Sequence, residues 1–162
     1  MKNKFTLAFR VGRAALVLPL LLLTRQPAPA ADIVPLAATE SKFETQLIWA
    51  TNDKKSPNPN HKAVEPEIRK KLDELPLKWA NYFEVTRKEF NISKGGSAKV
   101  ALSEKCSIEV RDVDGKKVEI SLISKGEAVL KRTQPLGKGE TLVLGGNAPN
   151  STAWLVTLKR IE

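Results

Sequence analysis

Apolar and polar residues alternate through most of the chain after residue 42, and this period of two is typical of half-buried β-strands. In the first such segment, residues 43–50, Phe43, Leu47 and Trp49 share one face. Turn signals recur about every eight to twelve residues from there on, as in antiparallel sandwiches and barrels. The predicted strands are residues 43–50, 82–90, 99–102, 106–112, 116–123, 127–134, 140–144 and 153–161.

One segment has the helical period instead. Ile68, Leu72 and Leu75 recur at i, i+4 and i+7, so they form one apolar stripe. Pro66 suits a first helical turn, and Pro76 disfavours continuation beyond Leu75. The pattern predicts a helix over about residues 65–75, too short to be stable alone and therefore packed at an edge or end of the sheets.

These elements predict a mainly β fold, a compact antiparallel β-sandwich of about seven to eight strands with one short α-helix. Residues 43–162 form a single β-rich domain that includes the helix. Residues 31–42 show no clear period and are interpreted as a flexible lead, and residues 51–62, rich in Asn and Pro, as an exposed loop.

Two hairpin loops can be placed from the apolar pairs that they create. A three-residue loop at 113–115 sets Ile108 opposite Ile120 and Cys106 opposite Leu122. A three-residue loop at 124–126 sets Ile120 opposite Leu130. Gly115 and Gly126 then occupy the positions that favour positive φ.

The N-terminal thirty residues have the pattern of a secretory signal peptide. A basic start precedes ten apolar residues at 14–23, and a small-x-small sequence ends at Ala30. Ten helical residues span about 15 Å, half of a hydrocarbon core of about 30 Å. We therefore expect cleavage after Ala30, no stable membrane span afterwards, and a periplasmic or extracellular location; an uncleaved anchor is the alternative.

Cleavage changes the charge of the protein. The full chain has 27 basic and 18 acidic residues and a net charge of +9. Five basic residues precede residue 31, so the remaining 132 residues have 22 basic against 18 acidic residues, a net charge of +4. That value is ordinary for a soluble domain, and we expect no nucleic-acid partner.

Few residues suit catalysis or metal binding. His61 is the single histidine and lies in the Pro/Asn loop, and Cys106 is the single cysteine and lies in a strand pattern. Together they cannot build a Cys/His zinc site, and the chain has no Gly-x-Ser-x-Gly. Asp112 and Asp114 resemble the start of a calcium loop but lack its closing Glu, so a turn is the better interpretation. The sequence predicts no cofactor, no metal and no enzymatic activity.

The tryptophans are the remaining candidates. Trp49 and Trp154 alternate with apolar residues, which favours core positions. Trp79 follows Pro76 outside any strand pattern and is expected to be exposed. Trp79 and Tyr82 are therefore the candidate surface-binding residues.

Residues 130–146 (LKRTQPLGKGETLVLGG) carry a resemblance. A strand, a Lys-Gly turn and Gly-Glu-Thr-Leu-Val-Leu-Gly-Gly resemble a hairpin of bacterial secretins, the outer-membrane rings of secretion systems. More broadly, residues 68–159 are similar to small exported bacterial proteins without an assigned activity. The first resemblance implies a related β-hairpin, as in an accessory protein of such an assembly.

These observations favour an exported, non-catalytic binding or structural module of the bacterial periplasm or cell exterior. Its partner would be an envelope protein or a polysaccharide. The alternative is an accessory protein of a secretion or envelope assembly, and a hydrolase is the third hypothesis.

Overall fold

Two antiparallel β-sheets face each other in the computed structural model, which describes residues 40–148 and 151–162. Nine strands and one short helix lie in these ranges, so the predicted mainly β sandwich with one helix is confirmed. The elements are β1 (Glu40–Thr51), β2 (Lys62–Ala63), α1 (Pro66–Asp73), β3 (Asn81–Ser93), β4 (Ser97–Ser103), β5 (Cys106–Asp112), β6 (Lys117–Ser124), β7 (Glu127–Pro135), β8 (Thr141–Asn147) and β9 (Ala153–Arg160).

The first and last strands lie in the same sheet. The five-stranded sheet has the order β2-β3-β1-β9-β8, so β1 and β9 are neighbours at its centre. Between β3 and β8, the chain crosses to the second sheet and builds it as a meander in the order β4-β5-β6-β7. Strand β7 is therefore an edge of one sheet and β8 an edge of the other.

The main core lies between the two sheets, as period-two alternation requires of a sandwich. Phe43 and Val156 contribute from the five-stranded sheet, and Ile108 and Ile120 from the four-stranded sheet. All four side chains are at most 1% exposed. The opposite face of the four-stranded sheet is polar, with Lys131 paired to Glu119 at 3.3 Å.

Helix α1 covers the outer face of the five-stranded sheet, and the prediction of an edge or end position is wrong. Ile68 and Leu72 pack with Ile48 and Leu155. The adjacent residues Leu47 and Val156 face the main core, so Ile48 and Leu155 point to the outer face. The helix ends at Asp73, two residues earlier than predicted, so Leu75 leaves the stripe and is 38% exposed. A second apolar layer thus explains why β1 and β9 are buried on both faces.

The β5–β6 hairpin has the predicted inward face but a different register. Ile108 lies opposite Leu122 and Val110 opposite Ile120, a shift of two residues from the predicted pairing. The backbone N–H of Val113 donates to the carbonyl of Lys117, so the three-residue loop comprises residues 114–116 instead of 113–115. A register shift of two residues leaves every side chain on the same face of the sheet, so the prediction of which residues face the core is still correct.

The β6–β7 hairpin differs in its turn. Ser124 pairs with Glu127, leaving the two-residue turn Lys125–Gly126, and both turn residues have positive φ, 51° and 87°. A register shift between Leu122 and Ile123 then restores the apolar pairing, with Leu122 opposite Leu130. The predicted three-residue loop is wrong, because the sequence alone did not reveal this bulge.

Other boundaries also move. Strand β1 begins at Glu40, so residues 40–42 belong to the sheet rather than to a flexible lead. The rest of the lead and the signal peptide lie outside the described residues. Strands β7 and β8 belong to different sheets, so the hairpin expected at residues 130–146 is wrong and this stretch is a crossover.

Candidate functional site

An apolar cleft of about 780 Å³ opens between the two sheets. It lies at the end of the sandwich where the β4–β5 and β6–β7 turns meet the β8–β9 connection. Leu47, Val85 and Val156 line it from the five-stranded sheet, and Leu122 and Val129 from the four-stranded sheet. Clefts of about 300–1,000 Å³ with mostly apolar walls are the usual size and character of small-ligand sites.

Irregular strand pairing surrounds this cleft. Three register shifts interrupt the ladders of the described strands, at Leu47/Ile48, Ala101/Ser103 and Leu122/Ile123. Each has one residue in the cleft wall: Leu47, Ser103 and Leu122. A bulge bends its strand and strengthens the local twist, so the strands that form the cleft wall are irregular in both sheets.

Trp154 and Gly146 form the mouth of the cleft. The two residues are paired across β9 and β8, and both line the cleft. Trp154 is 44% exposed, and a Cβ atom built at Gly146 would meet nothing within 4 Å. The missing side chain at position 146 therefore leaves open space beside the indole ring. By contrast, a Cβ atom at Gly145 would collide with Leu155, so the first glycine serves packing.

The rim of the cleft carries two lysines. The backbone N–H of Lys125 donates to the carbonyl of Lys105 at 2.8 Å, which holds the β4–β5 and β6–β7 turns together. Lys105, Lys125 and Glu104 all line the cleft, and none of them takes part in the ion pairs found within residues 40–148 and 151–162.

Cys106 lines the cleft directly below this rim and is half-buried. Burial raises the pKa of its thiol, so the sulfur stays protonated near neutral pH and is a weak nucleophile. The side chain therefore contributes to an apolar wall, close to the small hydrophobic role expected from sequence.

Three predictions about the aromatic residues are wrong. Trp79 is buried, and its indole N–H donates to the backbone carbonyl of Ser151 at 2.7 Å. Tyr82 is also buried, beneath helix α1, with the guanidinium of Arg69 5.1 Å from the ring centroid. Both proposed surface-binding residues belong to the layer under α1, whereas Trp154, expected in the core, is the exposed tryptophan.

His61 has a partner that the sequence did not suggest. The hydroxyl oxygen of Ser56 lies 2.8 Å from His61 Nδ1, and the imidazole ring packs edge-on near Trp49. A serine hydrolase also needs a group that orients the histidine. Among the hydrogen bonds of the described residues, none joins this imidazole to a carboxylate. The pair organises the loop before β2.

Pairs of acidic residues are the catalytic groups of many hydrolases, and the pairs at Asp73/Glu74 and Asp112/Asp114 are already engaged. Asp73 binds Arg69 and Glu74 binds Lys71 on the exposed face of α1. The Asp112 carboxylate accepts the backbone N–H groups of Gly95 and Gly115 at 2.8 and 2.9 Å. The Asp114 carboxylate accepts those of Lys116 and Lys117, which lowers the pKa of that carboxyl. The Asp112–Gly115 sequence therefore acts as a turn.

Three further glutamates surround Arg87. Its guanidinium lies 2.6 Å from Glu84, 2.7 Å from Glu65 and 3.6 Å from Glu44. Hydrogen bonding to Glu84 is the main reason that the pKa of Arg87 is raised. These carboxylates connect α1 to the sheet, and the described part of the chain contains no cluster of His, Cys, Asp and Glu suited to a metal ion.

Sequence reasoning missed the cleft although its residues were visible. The alternation of Trp154 with Val156 and Leu158 gave the correct face. It could not show that the opposing sheet leaves Trp154 uncovered. At that position the inward face of the sheet forms a wall of the cleft. The one available signal was a glycine pair inside a strand pattern, which often marks a bulge or a close approach.

Comparisons with known proteins add no assignment. No family model matches the chain, and neither a curated protein nor a solved structure matches it. No helix in the described ranges has the length and hydrophobicity needed to cross a membrane. The function is therefore argued from the geometry of the cleft.

Proposed function

We propose that this protein is an exported, non-catalytic binding module whose ligand occupies the cleft between the sheets. The observation that supports it is the apolar cleft itself, with a partly exposed tryptophan at its mouth opposite a glycine. Burying an exposed indole against a ligand is favourable, because aromatic side chains supply large contact areas with few rotatable bonds.

The distribution of polar groups supports binding over catalysis. The carboxylates of Asp73, Glu84 and Asp112 are engaged by backbone N–H groups or by basic side chains outside the cleft. Apart from the charged and hydroxyl side chains at its rim, the lining offers aliphatic side chains, one tryptophan and a protonated thiol. Such walls suit an apolar ligand better than a polysaccharide, whose hydroxyl groups need hydrogen-bonding partners.

Export rests on the N-terminal pattern of basic, apolar and small residues. The protein recovered from its native host should begin at Ala31 or Asp32, as mass spectrometry of the N-terminal peptide would show. Recovery of the envelope protein with Met1 intact would contradict this part of the proposal.

Binding can be tested with a neutral apolar probe, N-phenylnaphthylamine, whose fluorescence rises in apolar surroundings. We expect saturable binding of one probe per chain, together with a change in Trp154 emission that the variant Trp154→Phe lacks. Gly146→Leu should abolish binding by filling the mouth of the cleft.

The matched control is Ala101→Leu, which adds the same side chain at an exposed position of β4. It should bind the probe as the wild type does. Equal binding by Gly146→Leu and wild type, with both proteins folded by circular dichroism, would contradict the cleft as the site.

An accessory role in a secretion or envelope assembly is the second candidate. Strand β7 favours it, because it is an edge strand with mostly exposed side chains. A photo-crosslinker in place of Thr133 should then give one discrete product in the native envelope, and its absence would count against this role.

A further inference from the structure

We infer that the cleft takes a single-chain amphiphile with an anionic headgroup, the hydrocarbon between the sheets and the headgroup at Lys105 and Lys125. This inference rests on the proposed binding function and names the class of ligand. It follows from how polar and apolar groups are divided within the cleft.

The interior of the cleft offers a ligand almost no hydrogen bonds from side chains. Its walls are aliphatic, from Leu47, Val85, Leu122, Val129 and Val156. The charged and hydroxyl side chains of the lining all belong to the β4–β5 and β6–β7 turns, which form one rim: Ser103, Glu104, Lys105, Ser124 and Lys125. A fitting ligand therefore has a hydrocarbon body and a polar end on one side.

The charge of the rim favours an anion. The hydrogen bond from Lys125 N–H to the Lys105 carbonyl brings two lysines onto neighbouring turns, while Glu104 supplies the single acid of the lining. The rim is therefore net positive by one charge. Two ammonium groups without an ion pair repel each other, and an anion between them relieves that repulsion.

The backbone at Lys125 is a second, independent observation. A two-residue turn with positive φ at both positions favours Asn, Asp or Gly at the first, yet lysine occupies it with φ of 51°. Left-handed backbone at a non-glycine residue is unfavourable and concentrates at functional sites. This strain supports a role for the ammonium group at the rim.

A peptide strand is a poorer occupant. Strand addition needs a regular row of free N–H and C=O groups on an edge. The register shift at Leu122/Ile123 disturbs β7 beside the cleft, and Pro135 ends the strand. Charged residues and proline are typical protection against such pairing.

The experiment measures displacement of N-phenylnaphthylamine by twelve-carbon amphiphiles below their micelle concentrations. Dodecanoate and dodecyl phosphate should both displace it at about tenfold lower concentration than dodecyltrimethylammonium, since two surface charge interactions together amount to about one decade in affinity. If both anions displace the probe equally well, the cleft recognises negative charge and not one particular headgroup. Inorganic phosphate alone should not displace the probe, and the preference should weaken at high salt.

The variant Lys105→Met/Lys125→Asn should lose the preference for anions and still bind the neutral probe, because Asn tolerates the left-handed turn position. Glu104→Gln should strengthen the preference for anions. Lys131 pairs with Glu119 on the outer face, so Lys131→Met should leave this preference unchanged. Dodecanoate should also slow alkylation of Cys106, the only thiol, by iodoacetamide.

Three results would overturn the inference: equal displacement by anionic and cationic amphiphiles, an unchanged preference in the double lysine variant, or displacement by inorganic phosphate alone. In each case, continued probe binding that Gly146→Leu abolishes would leave the binding function intact. If the wild type binds no probe, the binding function itself fails.

Discussion

At the scale of single residues, Asp112 holds two turns with one buried carboxylate. Its Oδ2 accepts the N–H of Gly95 before β4, and its Oδ1 accepts the N–H of Gly115 after β5. Asp112→Asn turns one acceptor into a donor facing a buried N–H group. We expect a loss of about 1–3 kcal/mol in the free energy of unfolding, measured by urea denaturation.

The neighbouring Asp114 is the control for Asp112. Its Oδ1 alone accepts both backbone hydrogen bonds at an exposed position, and Asn retains that oxygen. Asp114→Asn should therefore change stability much less than Asp112→Asn does. Equal effects of the two substitutions would mean that burial of the Asp112 carboxylate does not matter.

Because of Tyr82, the free energy of unfolding should decrease at alkaline pH. Burial raises the pKa of its phenol, and the nearby Asp73 carboxylate adds to the effect. An unfolded tyrosine has a pKa of about 10. The stability contribution of the neutral phenol is therefore fully present below about pH 10 and is lost as pH rises through the folded pKa.

Two measurements test this. Tyr82 is the only tyrosine, so alkaline absorbance titration reports its pKa directly and should place it above about 10. The melting temperature of Tyr82→Phe should fall less than that of the wild type between neutral and strongly alkaline pH. An absorbance midpoint at or below the value for free tyrosine would contradict the prediction.

At the scale of elements, α1 depends on the sheet beneath it. A helix of eight residues is too short to be stable alone, and its two buried side chains are Ile68 and Leu72. Leu72→Ala removes a fully buried side chain and should lower the free energy of unfolding by about 2–5 kcal/mol. Leu75→Ala, at a 38% exposed position, should cost less than about 1 kcal/mol.

The hairpins show which features of an element the local sequence can predict. The sequence predicted which side chains of β5 and β6 face inward, and Ile108, Val110, Val118 and Ile120 are all fully buried. It did not predict their partners, because registers differing by two residues bury the same set. The geometry of the β5–β6 turn decided between these registers, and the bulge at Leu122/Ile123 set the separate pairing of β6 with β7.

At the scale of the whole molecule, Arg160 joins the two sheets at the end opposite the cleft. Its guanidinium donates to the carbonyl of Gly115 at 2.7 Å in the β5–β6 turn and to the hydroxyl of Ser41 at 2.7 Å on β1. Together with Asp112, it holds this end together, whereas the cleft lies at the other end. Hydrogen bonds from a charged donor contribute about 1.5–3 kcal/mol each.

Arg160→Met should therefore lower the free energy of unfolding by at least about 1.5 kcal/mol, measured by denaturant titration. Arg160→Lys should not restore it, since one ammonium group cannot reproduce the planar fork that serves both sheets. Arg132→Met, at an exposed position of β7, is the matched control and should change stability little. Full stability of Arg160→Lys would contradict the bridging role.

The sequence by itself determined the class of fold and the inward faces of most strands. It did so because burial on one face of a sheet imposes a period of two, and because glycines at 115 and 126 mark positive φ wherever the turn closes. The position of the helix in the chain followed from Pro66 and Pro76. Proline restricts the backbone locally, so its effect can be predicted without knowledge of the tertiary structure.

Only the tertiary structure decided where these faces meet. Trp79 became buried in the layer under α1, with its indole N–H bonded to Ser151, and Trp154 became exposed because it lies at the mouth of the cleft. The strand pair at residues 130–146 became a crossover because β8 pairs with β9 instead of β7. Each outcome depends on contacts between residues far apart in the chain, which local periodicity does not encode, and the cleft arises from such contacts.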